Sequence, residues 1–149
     1  FSLSLPLADA AERTEPMPRP VSVEPLRGRR VALVEDDEAV RGATEDLLRT
    51  WGCEVWAEAS VAPLLQRLQA AGVRPERVIS DWRLAEGDGL AAIEALRAWA
   101  GRDVPALMLS GETMPLERLR LDERRITPAR KPLPAAALRA WLSTRSDPA

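Results

Sequence analysis

From residue 29 onward the chain alternates short apolar runs with stretches in which apolar residues recur every three or four positions. Residues 31–34 (VALV) form a wholly apolar, β-rich run, as expected of a strand covered on both faces. Val40, Ala43, Leu47, Leu48 and Trp51 then follow a helical period that Gly52 stops. Residues 54–57 predict a second strand. Ser60 is placed to cap a helix bearing Val61, Leu64, Leu65 and Leu68 that ends near Gly72. Residues 78–80 predict a third strand, and Asp88 caps a helix carrying Leu90, Ile93, Leu96 and Ala100. Residues 104–109 predict a fourth strand. Leu116 and Leu119 mark a weak helix, and residues 126–130 a fifth strand. Pro134, at a first helical position, opens a last helix with Leu138, Trp141 and Leu142. Strands followed by helices five times over predict an α/β domain with a parallel sheet and right-handed crossovers.

Ahead of residue 29 this pattern is missing. Residues 9–28 are rich in proline and charge, and read as a linker in which Pro16, Pro18, Pro20 and Pro25 favour extended chain. Before it, FSLSLPL alternates apolar and polar positions. That is strand periodicity on a piece too short to fold alone. The expected organisation is a strand at 1–8, a linker at 9–28, a domain at 29–145 and a tail at 146–149.

Composition narrows the chemistry. The 149 residues suit one domain with a core, and the net charge of −2 offers no broad basic field for nucleic acid. No histidine occurs, which removes Ser-His-Asp catalysis, histidine metal sites and histidine proton shuttles. The one cysteine, Cys53, allows no internal disulfide and reads as a small core residue of a cytoplasmic protein. No apolar run approaches the roughly 18 residues of a membrane span, and no signal peptide is evident. The five tryptophans read as core, with only Trp82 beside candidate chemistry.

In open α/β sheets ligands bind at the carboxyl ends of the strands. Strand one ends in Glu35-Asp36, strand three in Asp81, strand four in Ser110-Gly111 and strand five in Lys131-Pro132. Converging carboxylates without a cation push each other's pKa up, and Mg²⁺, which prefers oxygen ligands, relieves the repulsion. A lysine and a hydroxyl at the same edge can hold the oxygens of an anion. Together these groups make a phosphoryl-transfer site, and an aspartate there can be the nucleophile. Each piece alone is weak: acids near a helix start are common, and Asp37 and Glu38 are read only as charges opening the first helix. The set, falling at successive strand ends, carries the inference.

The quoted pieces VALVEDDEAVR, VISDWRL with DGL seven residues after Asp81, ALMLSGET and RKPL resemble the receiver domain of bacterial two-component response regulators. The resemblance covers residues 29–145. It implies a single doubly wound, five-stranded, flavodoxin-like sheet of order 2-1-3-4-5. It implies that Asp81 accepts a phosphoryl group from a phosphohistidine on a histidine kinase or histidine phosphotransfer domain. Asp36 would ligate Mg²⁺ directly, Glu35 through water, and the Arg83 carbonyl would complete the metal site. Ser110 would hydrogen-bond a phosphoryl oxygen, Lys131 would pair with the phosphoryl group, and the Lys131-Pro132 peptide would be cis. Many receivers also carry an aromatic switch three residues before the lysine; here that position is Pro128.

FSLSLPLA also resembles the closing strand of the ATP-binding domain of histidine kinases. With the linker and receiver behind it, the chain reads as the C-terminal receiver of a hybrid sensor histidine kinase, in the cytoplasm, with a parent kinase that can be membrane-anchored. A free-standing response regulator is the alternative. A Mg²⁺-dependent phosphohydrolase using Asp81 is disfavoured, because that class wants a second aspartate at position 83, where arginine stands. A degenerate receiver used only for docking is disfavoured by the intact Asp36, Asp81, Ser110 and Lys131.

Overall fold

The computed structural model describes residues 26–84, 87–111, 121 and 123–144. The 1–8 strand, most of the linker, the helix expected around Leu116 and Leu119, and the tail lie outside the described residues. Five strands, β1 (Arg30–Val34), β2 (Glu54–Glu58), β3 (Arg77–Asp81), β4 (Ala106–Ser110) and β5 (Ile126–Arg130), alternate with helices α1 (Glu38–Thr50), α2 (Val61–Ala71), α3 (Gly89–Ala100) and α4 (Ala135–Leu142). All strand pairs are parallel, and the order is β2-β1-β3-β4-β5. This is the flavodoxin-like doubly wound sheet that the resemblance implies.

The strand period divides the core. Val31 and Leu33 face a cluster with Leu48, Ile79, Leu107, Leu138 and Leu142, which lies under α1 and α4. Ala32 and Val34 face the opposite cluster with Leu64, Leu68, Val78, Ile93 and Leu96, under α2 and α3. Burying alternate residues on both sides is why the central strands read as continuous apolar runs. Cys53 is a buried member of the first cluster. So is Leu26, only 5% exposed, with the adjoining turn pinned by Gly28 N–H donating to the Gly52 carbonyl at 2.7 Å.

Local signals place the helices. The Asp37 carboxylate accepts from Val40 N–H at 3.1 Å, and the Asp88 carboxylate from Ala91 N–H at 2.9 Å, both as N-caps. Gly72 and Gly101, with φ of 69° and 81°, close α2 and α3 in the left-handed conformation.

Several details depart from the sequence reading. Ser60 stands at the cap of α2 but its side chain makes no capping bond. β4 begins at Ala106 rather than Val104, because Pro105 has no N–H for the ladder. Pro134 is the N-cap of α4, extended at φ −61° and ψ 145°, one position before the helix proper. The tryptophans border the core rather than fill it: all five are half-buried and pack against one or other of the two clusters. Four lie under guanidinium groups, Trp56 with Arg67, Trp99 with Arg74, Trp141 with Arg77 and Trp51 with Arg139, at 4.5 to 6.0 Å. The indole N–H needs a polar partner, which the rim supplies: Trp99 Nε1 donates to the Val73 carbonyl at 2.7 Å.

Candidate functional site

At the carboxyl end of the sheet, β1 runs into a loop carrying Glu35 and Asp36. Glu35 is 2% exposed, held by its own N–H donating to the Glu58 carbonyl at 3.1 Å. Arg41, one turn into α1, donates to the Glu35 carbonyl at 2.9 Å, and Asp37 N–H donates to Glu35 Oε2 at 3.1 Å. Asp36 is exposed. Asp81 is the last residue of β3, 5% exposed.

One carboxylate oxygen from each of Glu35, Asp36 and Asp81 lies within 4.8 Å of the others. Lys131, just past β5, places Nζ 3.1 Å from Glu35 Oε1 and 2.9 Å from Asp81 Oδ1. The contact to Asp81 has ion-pair distance but not hydrogen-bond alignment, so Oδ1 remains a buried acceptor without an aligned donor. Ser110 ends β4, is buried, and lines a small cavity of about 100 Å³ with Asp81, Arg83, Leu109, Gly111 and Lys131. The Lys131-Pro132 peptide is cis.

The electrostatics follow from this crowding. Burial, with Glu35 beside it, pushes Asp81 up from 3.8 to about 7, against the lowering effect of Lys131. Lys131 is itself raised: its two carboxylate partners outweigh its partial burial. The donor set fits a hard dication such as Mg²⁺: oxygen atoms only, clustered, with one buried oxygen short of a donor. Glu35 has both oxygens engaged, one with Lys131 and one with Asp37 N–H, leaving Asp36 and Asp81 better placed for direct ligation.

Every residue singled out in the sequence therefore stands at this edge: Glu35, Asp36, Asp81, Arg83, Ser110 and Lys131. Glu58 is set apart, paired with Arg67 at 2.7 Å. Arg41 was missed; an arginine one turn into a helix reads as surface, and only the fold aims it back at the Glu35 carbonyl.

The response regulator receiver domain family matches residues 31–127. The chain belongs to this family. Over 85 residues the receiver is 36% identical to the KDP operon transcriptional regulatory protein KdpE of Escherichia coli (strain K12), covering 56% of this chain and 35% of KdpE. It thus spans about a third of the length of that relative. Among solved structures it is similar to the chemotaxis protein CheY4 of Vibrio cholerae, with a TM-score of 0.66 and 25% identity over 77% of this chain and 96% of CheY4. It is also similar to the receiver domain of the hybrid histidine kinase CckA, with a TM-score of 0.62 and 26% identity over 76% of this chain and 94% of that one. No helix among the described residues is long and apolar enough to cross a membrane.

Proposed function

We propose that this receiver accepts a phosphoryl group on Asp81 from a phosphohistidine of a histidine kinase or phosphotransfer domain, with Mg²⁺ bound beside it. The observation that carries the reading is the convergence of the Glu35, Asp36 and Asp81 carboxylates, with Lys131 spanning Glu35 and Asp81. In the transfer, a carboxylate oxygen of Asp81 attacks phosphorus as the donor P–N bond breaks. The imidazole leaves with the electron pair and takes a proton from solvent. Asp36 and Asp81 would ligate the dication directly, with Glu35 acting through water and the Arg83 carbonyl completing the set. When bound, Mg²⁺ offsets the negative charge that otherwise opposes an anionic phosphoryl group. The Ser110 hydroxyl donates to one phosphoryl oxygen and the Lys131 ammonium pairs with another. Water attack on phosphorus later breaks the P–O bond and restores the carboxylate, so the receiver catalyses both its phosphorylation and its dephosphorylation. Acetyl phosphate with Mg²⁺ should add one phosphoryl group to the wild type by intact mass and none to Asp81→Asn. Equal labelling of the two would overturn the assignment.

The parent is a hybrid sensor histidine kinase of the cytoplasm, in which 1–8 closes an ATP-binding domain, 9–28 links and 29–145 receives. The alternating FSLSLPL segment and the likeness to the CckA receiver support this. ATP-binding motifs encoded upstream of Phe1 are expected. A parent gene without them would favour a free-standing regulator, a reading the likeness to CheY4 supports.

A further inference from the structure

Gly89 opens α3, and its position needs no positive φ: it is absent from the left-handed glycines, which are Gly28, Gly52, Gly72, Gly87 and Gly101. What it needs is space. A Cβ built there would stand 2.1 Å from the Asp81 carbonyl oxygen, 3.0 Å from the Asp81 carbonyl carbon and 3.2 Å from Ser80 Oγ. The first two atoms are backbone, so no rotamer change can relieve the clash. The first turn of α3 is also bonded to the loop that follows Asp81: Gly89 N–H donates to the Trp82 carbonyl at 2.8 Å, and Arg83 and Asp88 form a backbone bridge. From the other side, Trp82 N–H donates to the Leu109 carbonyl at 2.7 Å, beside Ser110.

We propose that Gly89 is a positioning residue for the acceptor: its missing side chain lets the first turn of α3 seat on the Asp81 carbonyl and fix both the Asp81 carboxylate and the Arg83 carbonyl. A methyl group here must displace either the helix or the Asp81 backbone. Displacing the backbone carries Asp81 away from Glu35, Asp36 and Lys131, which are set by β1 and β5 and do not follow; displacing the helix pulls on the Trp82 and Arg83 backbone bonded to it, next to Asp81. The inference deepens the phosphoacceptor reading and rests on it.

The test compares Gly89→Ala with Gly42→Ala, the same chemical change at a helical position of α1 where an added Cβ meets nothing within 4 Å. Mg²⁺ titration followed by tryptophan fluorescence, acetyl-phosphate labelling rates and thermal unfolding are measured on all three proteins. Gly89→Ala should weaken Mg²⁺ affinity and slow labelling of the folded protein at least tenfold, with Gly42→Ala like wild type in both. Asp88→Ala, which removes only the side-chain cap of α3, loosens the same seat and keeps the question open to decision should Gly89→Ala fail to fold. It should weaken both quantities at least twofold. Loss of thermal stability alone, with wild-type Mg²⁺ affinity and labelling in whichever of these two variants folds, would overturn the proposal. A wild type that takes no phosphoryl group would instead overturn the phosphoacceptor reading, and the Mg²⁺ titration would still decide the positioning role.

Discussion

Lys131 Nζ, at the end of β5, lies 2.9 Å from Asp81 Oδ1, at the end of β3, with the whole of β4 between the two strands. The lysine spans this gap because its stem is long and because small residues, Ser110 at the end of β4 and Gly111 after it, line the small cavity between them. The same ammonium lies 3.1 Å from Glu35 Oε1, so one cation serves two buried carboxylates. Replacing Lys131 by Met keeps the stem and removes the charge. Acetyl-phosphate labelling should fall at least tenfold, with a Mg²⁺ response retained in tryptophan fluorescence, since the clustered carboxylate oxygens remain. Wild-type labelling of Lys131→Met would show that the ammonium has no part in transfer.

The raised Asp81 makes the metal-free protein sensitive to pH in a defined direction. Its folded-state pKa is about 7 against an ordinary 3.8. The folded state therefore holds this proton more tightly than the unfolded chain. The associated stability is fully present below about pH 4 and is lost as pH rises through about 7. Asp81→Asn removes that titration. Without metal, its stability advantage over wild type should grow between pH 4 and pH 7 and then level off, by at most about 4 kcal/mol. Urea unfolding of both proteins across this range is the measurement. A difference independent of pH would show that Asp81 is ionised throughout, and saturating Mg²⁺ should narrow the gap by stabilising wild type.

Much of this site was legible in the sequence, because the topology of a doubly wound sheet turns strand ends into neighbours. Glu35, Asp36, Asp81, Ser110 and Lys131 are scattered along the chain, yet each stands at the carboxyl end of a strand that the pattern predicts, and that placement gathers them. What was hidden depends on contacts that no period encodes. Arg77 reads as a surface residue opening a strand, but it is wholly buried and donates to the Thr144 carbonyl beyond α4. Leu26 lies in a proline-rich stretch whose few apolar residues follow no helical period, yet it is buried in the same core cluster as Leu48 and Leu142. Gly89 was noticed as part of a DGL motif, but its near-contact with the Asp81 carbonyl is a property of the folded loop.

Asp36 is the exposed member of the three-carboxylate cluster, so its replacement disturbs packing least. Asp36→Ala should lower Mg²⁺ affinity at least tenfold and leave thermal stability within about 0.5 kcal/mol of wild type without metal. Trp82, half-buried next to Asp81, makes fluorescence titration a direct readout. Unchanged affinity would remove Asp36 from the metal site.

Arg83 lines the same small cavity as Asp81, Ser110 and Lys131. On the phosphoacceptor reading, water that hydrolyses the phosphoryl group is expected to enter through this space, so the charge at position 83 is expected to tune the phosphoryl lifetime. Glu112, two residues after Ser110 and expected in this fold to flank the path of attacking water with Arg83, lies outside the described residues. Arg83→Ala should alter the half-life of phosphorylated Asp81 severalfold with little change in stability, as an exposed charge contributes only about 0–1 kcal/mol. Following loss of phosphate by intact mass tests this, and equal half-lives would reject it.

Signal transmission to the last helix is expected to be weak. The position three residues before Lys131, where many receivers carry a mobile aromatic ring, is Pro128, half-buried and paired in register with Met108. A proline ring has no rotamers to exchange, and its missing N–H suits the edge place that β5 takes in the sheet. The chain has no tyrosine, and its only phenylalanine is Phe1, so β5 itself carries no such ring. The α4 surface is instead tied to parts of the fold distant from the carboxylates. Leu138 and Leu142 are buried against Val31 and Leu48, Arg139 stacks on Trp51, and Arg77 holds the Thr144 carbonyl. Ser110 can close on a phosphoryl group by movement of the loop after β4, and Lys131, whose Nζ already lies 2.9 Å from Asp81 Oδ1, can reach it by a change in its own side chain. That suits a phosphate relay or sink better than a strong conformational output. Beryllofluoride with Mg²⁺ should therefore shift amide resonances strongly around Asp81, Ser110 and Lys131 and only slightly from Pro134 to Thr144. Shifts across the last helix as large as those at Asp81 would show that this surface switches without an aromatic ring.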